Sequence, residues 1–295
     1  MKKIYLLSLI VTLGFFSSIA HAEMIKHESG QNIYIDQSTV AELENFFGKN
    51  NYRRFGALPD DAYPRIYVKR LPTDYKEIQS QKYRNELFIR ILAPIALKIN
   101  EELSNERHTI LRLDRKYTNN KTLSPEDIAL LESLAQKYDY FVRTKDEKRI
   151  NKLLEGLKLR VNIIPPSILI ATSAMETNWG SSRIAQEANS LYKERVWYTD
   201  EGIEPLENKD DGYRFKIFPD LMASMRSFAI TFNSDKKFLH VWHARDIATK
   251  KYKKPLGESM AYTLSQLSNL PNFAGILDYT STFYNFYSID IGHLK

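Results

Sequence analysis

Apolar residues in the first half of the chain recur at the spacing of an α-helix. Between residues 83 and 113 they fall at every fourth position, at Leu87, Ile91, Ile95, Ile99 and Leu103. This spacing predicts a long helix with one buried face. Pro94 interrupts the pattern and is expected to kink or split the helix, because proline has no N–H to donate. The charges of Arg90 and Lys98 exclude a membrane span here.

Start signals locate further helices. Ser124-Pro125-Glu126-Asp127 combines a capping serine, a proline for the first turn and two acids, which predicts that a helix begins there. Pro165-Pro166 precedes an unusually apolar stretch from Ser167 to about Trp179. A helix that is apolar on most sides is expected to be buried. Additional helices are predicted over residues 146–157, 182–188, 220–233 and 258–287.

A small β element interrupts the helices. Apolar and polar residues alternate in Tyr213–Phe218, which is typical of a strand. We therefore predict a β-hairpin lobe within residues 192–218 and a short strand at Ile66–Val68. The fold class is mainly α (α+β), a helical domain with a small β-hairpin lobe.

Composition suggests how the chain is organised. Residues 23–63 are polar and punctuated by Gly56 and Pro59, which predicts an irregular arm. A helical N-terminal region is expected over residues 64–145, followed by a second domain over residues 146–295.

The first 22 residues have the features of a secretory signal peptide. Lys2 and Lys3 precede an apolar segment, and Ala20-His21-Ala22 matches an A-x-A cleavage site. The chain has no cysteine, which excludes disulfides, thiolate metal sites and thiol nucleophiles. Export without cysteine predicts the periplasm of a Gram-negative-type bacterium. ATP, nicotinamide cofactors and nucleic acid are poor candidates for ligands there.

Overall composition adds few constraints. Of 295 residues, 43% are hydrophobic and 26% are charged, an ordinary globular mixture. The formal net charge of +6 implies at most a mild preference for anionic surfaces. His240 and His243 are three residues apart with only Asp246 nearby, which is too few ligands for a zinc site. We predict no metal and no cofactor.

Glu176 is the candidate catalytic residue. It lies toward the C-terminal end of the apolar helix that is predicted from Ser167. Apolar neighbours and the negative end of the helix dipole are both expected to favour its uncharged acid. A glycosidase needs such an acid to protonate the leaving oxygen. From position alone, a solvated glutamate at a helix end is the simpler interpretation.

The surrounding residues strengthen the catalytic interpretation. Pro166–Ser182 reads PSILIATSAMETNWGSS and resembles the signature P-S-x-x-x-A-x-x-A-x-E-S-x-W-G-x-S of the β-N-acetylglucosaminidases of glycoside hydrolase family 73. Ala188–Tyr192 resembles the NNLFG element of that family, and residues 64–140 are similar to the region before the glucosaminidase domain of the Bax protein family. The resemblance implies a lysozyme-like fold, hydrolysis of peptidoglycan glycan strands, and Glu176 as general acid. It makes residues 146–295 a glucosaminidase-like catalytic domain.

The sequence departs from the family pattern at several positions. Thr177 replaces the usual serine, and Tyr192-Lys193 replaces Phe-Gly. The stretch Leu267–Pro271 lacks a tyrosine that the family often has near its last helix, and Tyr279 or Tyr284 could take its place.

Polar and aromatic residues near the motif suggest where sugar rings bind. Sugars stack on aromatic faces through their C–H edges. We predict that Trp179 packs in the core and that four residues contact the substrate: Asn189, Tyr192, Tyr198 and Tyr213.

A second carboxylate is expected in the β lobe, where some family members have one and this chain has Glu201, Glu204 and Glu207. We select Glu204 because it precedes the hairpin, although each of the three could be a solvated loop acid. A nucleophilic carboxylate would lie about 5 Å from the acid, and a carboxylate that activates water about 6.5–9.5 Å from it. The 2-acetamido group of the substrate could also replace a second acid. The sequence leaves all three routes open.

The predicted function is an exported endo-β-N-acetylglucosaminidase that cleaves the β-1,4 bonds of peptidoglycan. Two alternatives stay open. A lytic transglycosylase uses a similar glutamate but leaves a 1,6-anhydro sugar, and a cell-wall-binding protein would have no activity. The oligomeric state is not predicted.

Overall fold

The computed structural model describes residues 24–54, 58–143, 148–206, 212–252, 257–264 and 272–295. The helices are α1 (Val40–Lys49), α2 (Gln81–Asn120), α3 (Pro125–Lys137), α4 (Lys148–Arg160), α5 (Pro166–Thr177), α6 (Arg183–Ala188), α7 (Leu221–Ser234), α8 (Leu239–Tyr252), α9 (Gly257–Met260) and α10 (Phe273–Phe283). The strands are β1 (Ile25–Ser29), β2 (Asn32–Gln37), β3 (Ala62–Tyr63), β4 (Ile66–Val68), β5 (Arg195–Trp197), β6 (Tyr213–Phe215) and β7 (His293–Leu294). The predicted mainly α fold is confirmed. None of the helices in these ranges combines the length and apolarity that crossing a bilayer requires.

Within residues 23–63, the described residues 24–54 and 58–63 form strands and a helix and not the irregular arm that their polarity predicts. β1 and β2 make an antiparallel hairpin, β2 pairs in parallel with β4, and α1 follows with a capping box between Thr39 and Glu42. Leu43 and Phe47, one turn apart on α1, are fully buried. A capping box followed by an i, i+4 apolar pair is a sequence signal for a helix. The prediction of an irregular arm relied on Gly56 and Pro59 and missed this signal. The predicted signal peptide, residues 1–22, lies outside the described residues.

α2 runs without a break through Pro94, so the predicted split does not occur. Proline leaves the carbonyl of Arg90, four residues earlier, without its helical N–H donor. The hydroxyl of Tyr52 donates to that carbonyl over 3.0 Å, from a side chain that is fully buried. A long-range hydrogen bond therefore takes the place of the missing helical one.

α5 is the buried central helix that its composition predicts. It packs against α2, α10 and a 3₁₀ helix at Phe286–Ile291, and Pro166 through Ala174 are all buried. Asp290 of that 3₁₀ helix accepts hydrogen bonds from the backbone N–H and the hydroxyl of Ser167, both over 2.9 Å. A carboxylate at this end of a helix satisfies free N–H groups and interacts favourably with the dipole. The C-terminal part of the chain thus holds the first turn of α5.

The predicted β-hairpin is confirmed. β5 and β6 pair antiparallel with Arg195 opposite Phe215, and α6, capped by Ser182, connects α5 to this lobe. Residues 207–211, within the connection between the two strands, lie outside the described residues.

The C-terminal region is less regular than predicted. The helix expected over residues 258–287 is interrupted, because α9 leads into a 3₁₀ helix at Ala261–Leu264 and α10 begins only at Phe273. β7 pairs in parallel with β3. The end of the chain therefore lies against its N-terminal region.

Candidate active site

Glu176 lies in the last turn of α5, where the helix leaves the core. The hydroxyl of Thr177 donates to the carbonyl of Ser173 over 2.7 Å and accepts from the N–H of Gly180 over 2.9 Å. Threonine supplies the hydroxyl that serine would, so this departure from the family pattern preserves the turn. Trp179 then adopts a left-handed backbone, with φ of +57°. The side chain of Glu176 is 16% exposed, so it is mostly buried but still reaches solvent.

A lysine faces this carboxylate. Nζ of Lys193 lies 3.3 Å from Oε2 of Glu176, and the lysine side chain is 45% exposed. Lys193 has a left-handed backbone, with φ of +52°, which glycine adopts freely and other residues adopt at a cost of about 1–2 kcal/mol. In the family pattern a glycine stands here. The chain therefore tolerates a strained position that places an ammonium beside the candidate acid.

An open pocket of about 340 Å³, which we call the lobe cleft, lies beside this ion pair. Its lining consists of Ser182, Arg183, Ile184, Lys193, Pro205, Leu206, Tyr213 and Phe215. Tyr213 lines the cleft with a mostly buried ring, and the guanidinium of Arg195 lies 4.1 Å from the ring centre. Aromatic and aliphatic walls with a few polar groups are typical of a small-ligand pocket.

A second pocket of about 310 Å³ lies along the hairpin lobe. It is lined by Tyr198, which is 92% exposed, and by Glu204, whose Oε1 accepts from Arg214 over 2.9 Å. Glu176 therefore pairs with Lys193, which lines the lobe cleft, whereas Glu204 pairs with Arg214 at the second pocket. Of the other acids considered for this role, Glu207 lies outside the described residues.

Tyr192 and Asn189, which the sequence predicts as substrate-binding residues, both lie in the core. The ring of Tyr192 stacks on Phe228 with centroids 4.0 Å apart, and its hydroxyl donates to the carbonyl of Leu169 over 3.1 Å. Burial raises the pKa of Tyr192 well above its ordinary value. Asn189 ends α6 and donates to the carbonyl of Phe218 over 2.9 Å. The side chain of Tyr192 thus joins α5 to α7, and the amide of Asn189 joins the end of α6 to Phe218.

An aromatic cluster borders the end of α5. Trp179 packs against Tyr284 and Phe286, in agreement with its predicted packing role. The ring centre of Tyr284 is 4.6 Å from that of Trp179, and the side-chain amide of Asn85 donates to the Tyr284 hydroxyl over 2.7 Å. Of the two tyrosines considered as replacements, Tyr284 is the one that packs on the tryptophan of the motif. Leu267–Pro271 lies outside the described residues.

The region that holds these features matches a known family. Residues 151–270 match the family model described as mannosyl-glycoprotein endo-beta-N-acetylglucosaminidase. Residues 151–270 form a glucosaminidase-family domain. This confirms the predicted family, which is one of glycoside hydrolases, and places Glu176, Lys193 and the hairpin lobe inside the domain.

Individual proteins show similarity over parts of the chain. The protein Bax of Escherichia coli strain K12 is 30% identical over 122 residues, which are 40% of this chain and 41% of Bax. The chain thus matches less than half of the length of that relative. The catalytic domain of the autolysin Auto from Listeria monocytogenes aligns with 57% of this chain and 98% of its own, at 16% identity and a TM-score of 0.31.

Glu194 is an acid of the glucosaminidase domain that sequence reasoning missed. Its Oε2 accepts from the hydroxyl of Ser227 over 2.7 Å, and the ammonium of Lys216 lies 3.8 Å away. Burial raises the pKa of Glu194. Glu194 directly follows Lys193 in the sequence, but its side chain packs toward α7 and does not line the lobe cleft.

His240, His243 and Asp246, the residues weighed as metal ligands, all lie on α8. The ring of His240 lies 2.8 Å from the carbonyl oxygen of Thr263, and Asp246 pairs with Lys250. Within the ranges that the structure describes, no three His, Cys, Asp or Glu side chains are grouped to hold a metal ion.

Proposed function

We propose that the glucosaminidase domain cleaves β-1,4 bonds in peptidoglycan glycan strands as an endo-β-N-acetylglucosaminidase, with Glu176 as general acid. One observation supports this most strongly. In a glucosaminidase-family domain, the carboxyl of Glu176 stands at the exposed end of a buried helix, paired with a lysine that lines an open cleft.

The reaction needs a proton for the leaving sugar. Protonated Glu176 donates it to the glycosidic oxygen as the bond to the anomeric carbon breaks. The ammonium of Lys193, 3.3 Å away, stabilises the carboxylate that forms. Water adds to the anomeric carbon and returns a proton to Glu176, so that atoms and charge balance over the cycle.

The second carboxylate is a separate question. Glu204 pairs with Arg214 and lines the neighbouring pocket, so we propose it for activation of water or for electrostatic support. Assistance by the 2-acetamido group of the substrate needs no second acid. Replacing Glu204 with glutamine separates these routes, because activity falls only if this carboxylate takes part.

A lytic transglycosylase is the second candidate function. In that reaction the 6-hydroxyl of the sugar replaces water, and one acid–base carboxylate suffices. In the part of the chain that the structure describes, Glu176 pairs with a lysine and not with a second acid, and this observation favours it. Each cut then leaves one anhydro end, which is lighter than the corresponding hydrolytic end by one water.

Digestion of purified peptidoglycan sacculi tests these functions together. We expect the wild type to release fragments with reducing N-acetylglucosamine ends. The variant Glu176→Gln should lose activity by at least about 100-fold with an unchanged far-UV circular dichroism spectrum. Glu155→Gln, the same substitution on the exposed surface of α4, is the matched control.

Each outcome has one interpretation. Full activity of Glu176→Gln refutes the assignment of the acid. Anhydro ends in the mass spectrum indicate a transglycosylase. Binding to sacculi without soluble fragments indicates a wall-binding protein without activity.

We also propose export to the periplasm, because the first 22 residues have the features of a signal peptide and the proposed substrate lies outside the cytoplasmic membrane. N-terminal sequencing of the protein from the periplasmic fraction should begin at Glu23. A chain that begins at Met1 and stays in the cytoplasm would contradict this.

A further inference from the structure

A pocket of about 460 Å³ lies between the end of α1 and the first turns of α2, outside the glucosaminidase domain. We call it the basic pocket. Its lining consists of Arg53, Arg54, Lys82, Glu86 and Arg90. Lys82, Glu86 and Arg90 follow each other at four-residue intervals, so they share one face of α2.

Only one of the cations that line the basic pocket has an ion-pair partner among the described residues. Arg90 is almost fully buried and donates to Glu44 through both terminal nitrogens, so this pair is internal. Arg53, Arg54 and Lys82 are exposed and make no ion pair within the part of the chain that the structure describes. Four cations therefore face two carboxylates, and the excess positive charge is on side chains that reach solvent.

The guanidinium of Arg53 lies close to the end of α1. A side chain at Gly48, near the end of α1, would bring its Cβ to 3.2 Å from Nη2 of Arg53. The guanidinium therefore lies against the backbone of α1, which the absence of a side chain at Gly48 permits. Guanidinium groups bind carboxylates with two parallel hydrogen bonds.

The first turns of α2 connect the basic pocket to the aromatic cluster at the end of α5. Lys82 and Asn85 are one turn apart on α2, and Asn85 donates to the hydroxyl of Tyr284 over 2.7 Å. Tyr284 packs on Trp179, which is three residues beyond Glu176. A series of contacts through Asn85 and Tyr284 therefore links the helix that carries the pocket to the motif around Glu176.

We propose that the basic pocket binds the carboxylates of the peptides that the glycan strand carries, so that the substrate is a peptide-substituted strand and not a bare β-1,4 glycan. This inference rests on the proposed function. It adds a specificity site on the N-terminal region to the chemistry of the glucosaminidase domain. Sulfated or phosphorylated surfaces would also be attracted to the cations, but they are not attached to the bond that is cut.

The test compares two substrates and two triple variants. The substrates are solubilised peptidoglycan strands with their peptides, and the same strands after an amidase has removed the peptides. The test variant is Arg53→Gln, Arg54→Gln and Lys82→Gln. The control variant is Arg115→Gln, Lys152→Gln and Lys236→Gln, which removes three exposed cations elsewhere.

We expect the test variant to lower kcat/KM by about tenfold on peptide-bearing strands, given the usual strength of exposed ion pairs. Activity on stripped strands should be unchanged, and the control variant should match the wild type on both substrates. At about 0.5 M salt the preference of the wild type for peptide-bearing strands should largely disappear, because salt screens exposed charges.

Two results overturn the inference: no loss in the test variant, or an equal loss on both substrates. If the wild type cuts neither substrate, the proposed function fails, and calorimetry then measures binding of the same strands without turnover. Peptide-dependent binding that the test variant loses still supports the pocket. Binding of the wild type to vesicles of anionic lipid, without any peptide preference, contradicts it.

Discussion

The hydrogen bond between Tyr52 and the carbonyl of Arg90 should make a measurable contribution to stability. Pro94 removes the N–H that this carbonyl would accept from in a regular helix, and Tyr52 is the donor that replaces it over 3.0 Å. Burial raises the pKa of Tyr52 well above its ordinary value, so the hydroxyl keeps its proton at any practical pH. Tyr52→Phe keeps the ring and leaves a buried acceptor without a partner.

The magnitude follows from the loss of one buried hydrogen bond without a cavity, which costs about 1–3 kcal/mol. Replacing Pro94 with alanine restores an N–H four residues after Arg90. In that background the carbonyl has a second donor, and Tyr52→Phe should cost about 1 kcal/mol less than in the wild type. The two substitutions should therefore be coupled and not additive.

Urea unfolding followed by far-UV circular dichroism measures the four free energies of this cycle, with constant m-values as the check that the denatured states are comparable. Tyr75→Phe is the control, since its hydroxyl donates to the carbonyls of Arg84 and Trp179. Its cost should be the same with and without Pro94→Ala. Equal costs of Tyr52→Phe in both backgrounds would refute the argument.

Other predictions concern the two residues beside the hairpin lobe. Lys193→Gly removes the ammonium and the backbone strain, so turnover should fall several-fold while the free energy of unfolding stays constant or rises by about 1 kcal/mol. Lys193→Met should lower turnover equally without the gain in stability, and full turnover in either variant contradicts the role of the charge. Burial raises the pKa of Glu194 above the ordinary glutamate pKa of 4.5. The folded protein therefore loses stability as the pH rises above 4.5, because Glu194 ionises more readily in the unfolded chain. Glu194→Gln should therefore be more stable than the wild type near pH 7.5 and lose this advantage below pH 4.5; a constant difference across that range would show that ionisation is not the cause.

Local sequence signals predicted the elements that frame the site. Ser124 caps α3 as expected, and the apolar run behind Pro165-Pro166 forms the buried helix α5. Period-two alternation located the hairpin lobe. These signals succeed because capping, proline geometry and side-chain periodicity act within a few residues.

Long-range packing decides what the local patterns could not predict. Tyr192 lies beside the motif in sequence, but whether its ring faces a groove or Phe228 depends on where α7 docks. The continuity of α2 depends on a hydroxyl from Tyr52, which is distant in sequence. No local pattern carries that information.

The environment of Glu176 was predicted only in part. Its place at the end of a buried helix followed from periodicity and from the resemblance to the family. Its pairing with Lys193 was not predicted, although the sequence contained one signal. A lysine stands where the family pattern has a glycine. A lysine at a position that favours glycine indicates that its side chain makes a contact, and here that contact is with Glu176.

The support of α5 extends beyond the segment that matches the family. α2, which packs along it, precedes residue 151, and Asp290, which accepts from its first turn, follows residue 270. A fragment trimmed to the limits of the match would expose the apolar flank of that helix to water and leave donors of Ser167 without their acceptor. Engineering that transplants this glucosaminidase-family domain therefore has to include both outer segments.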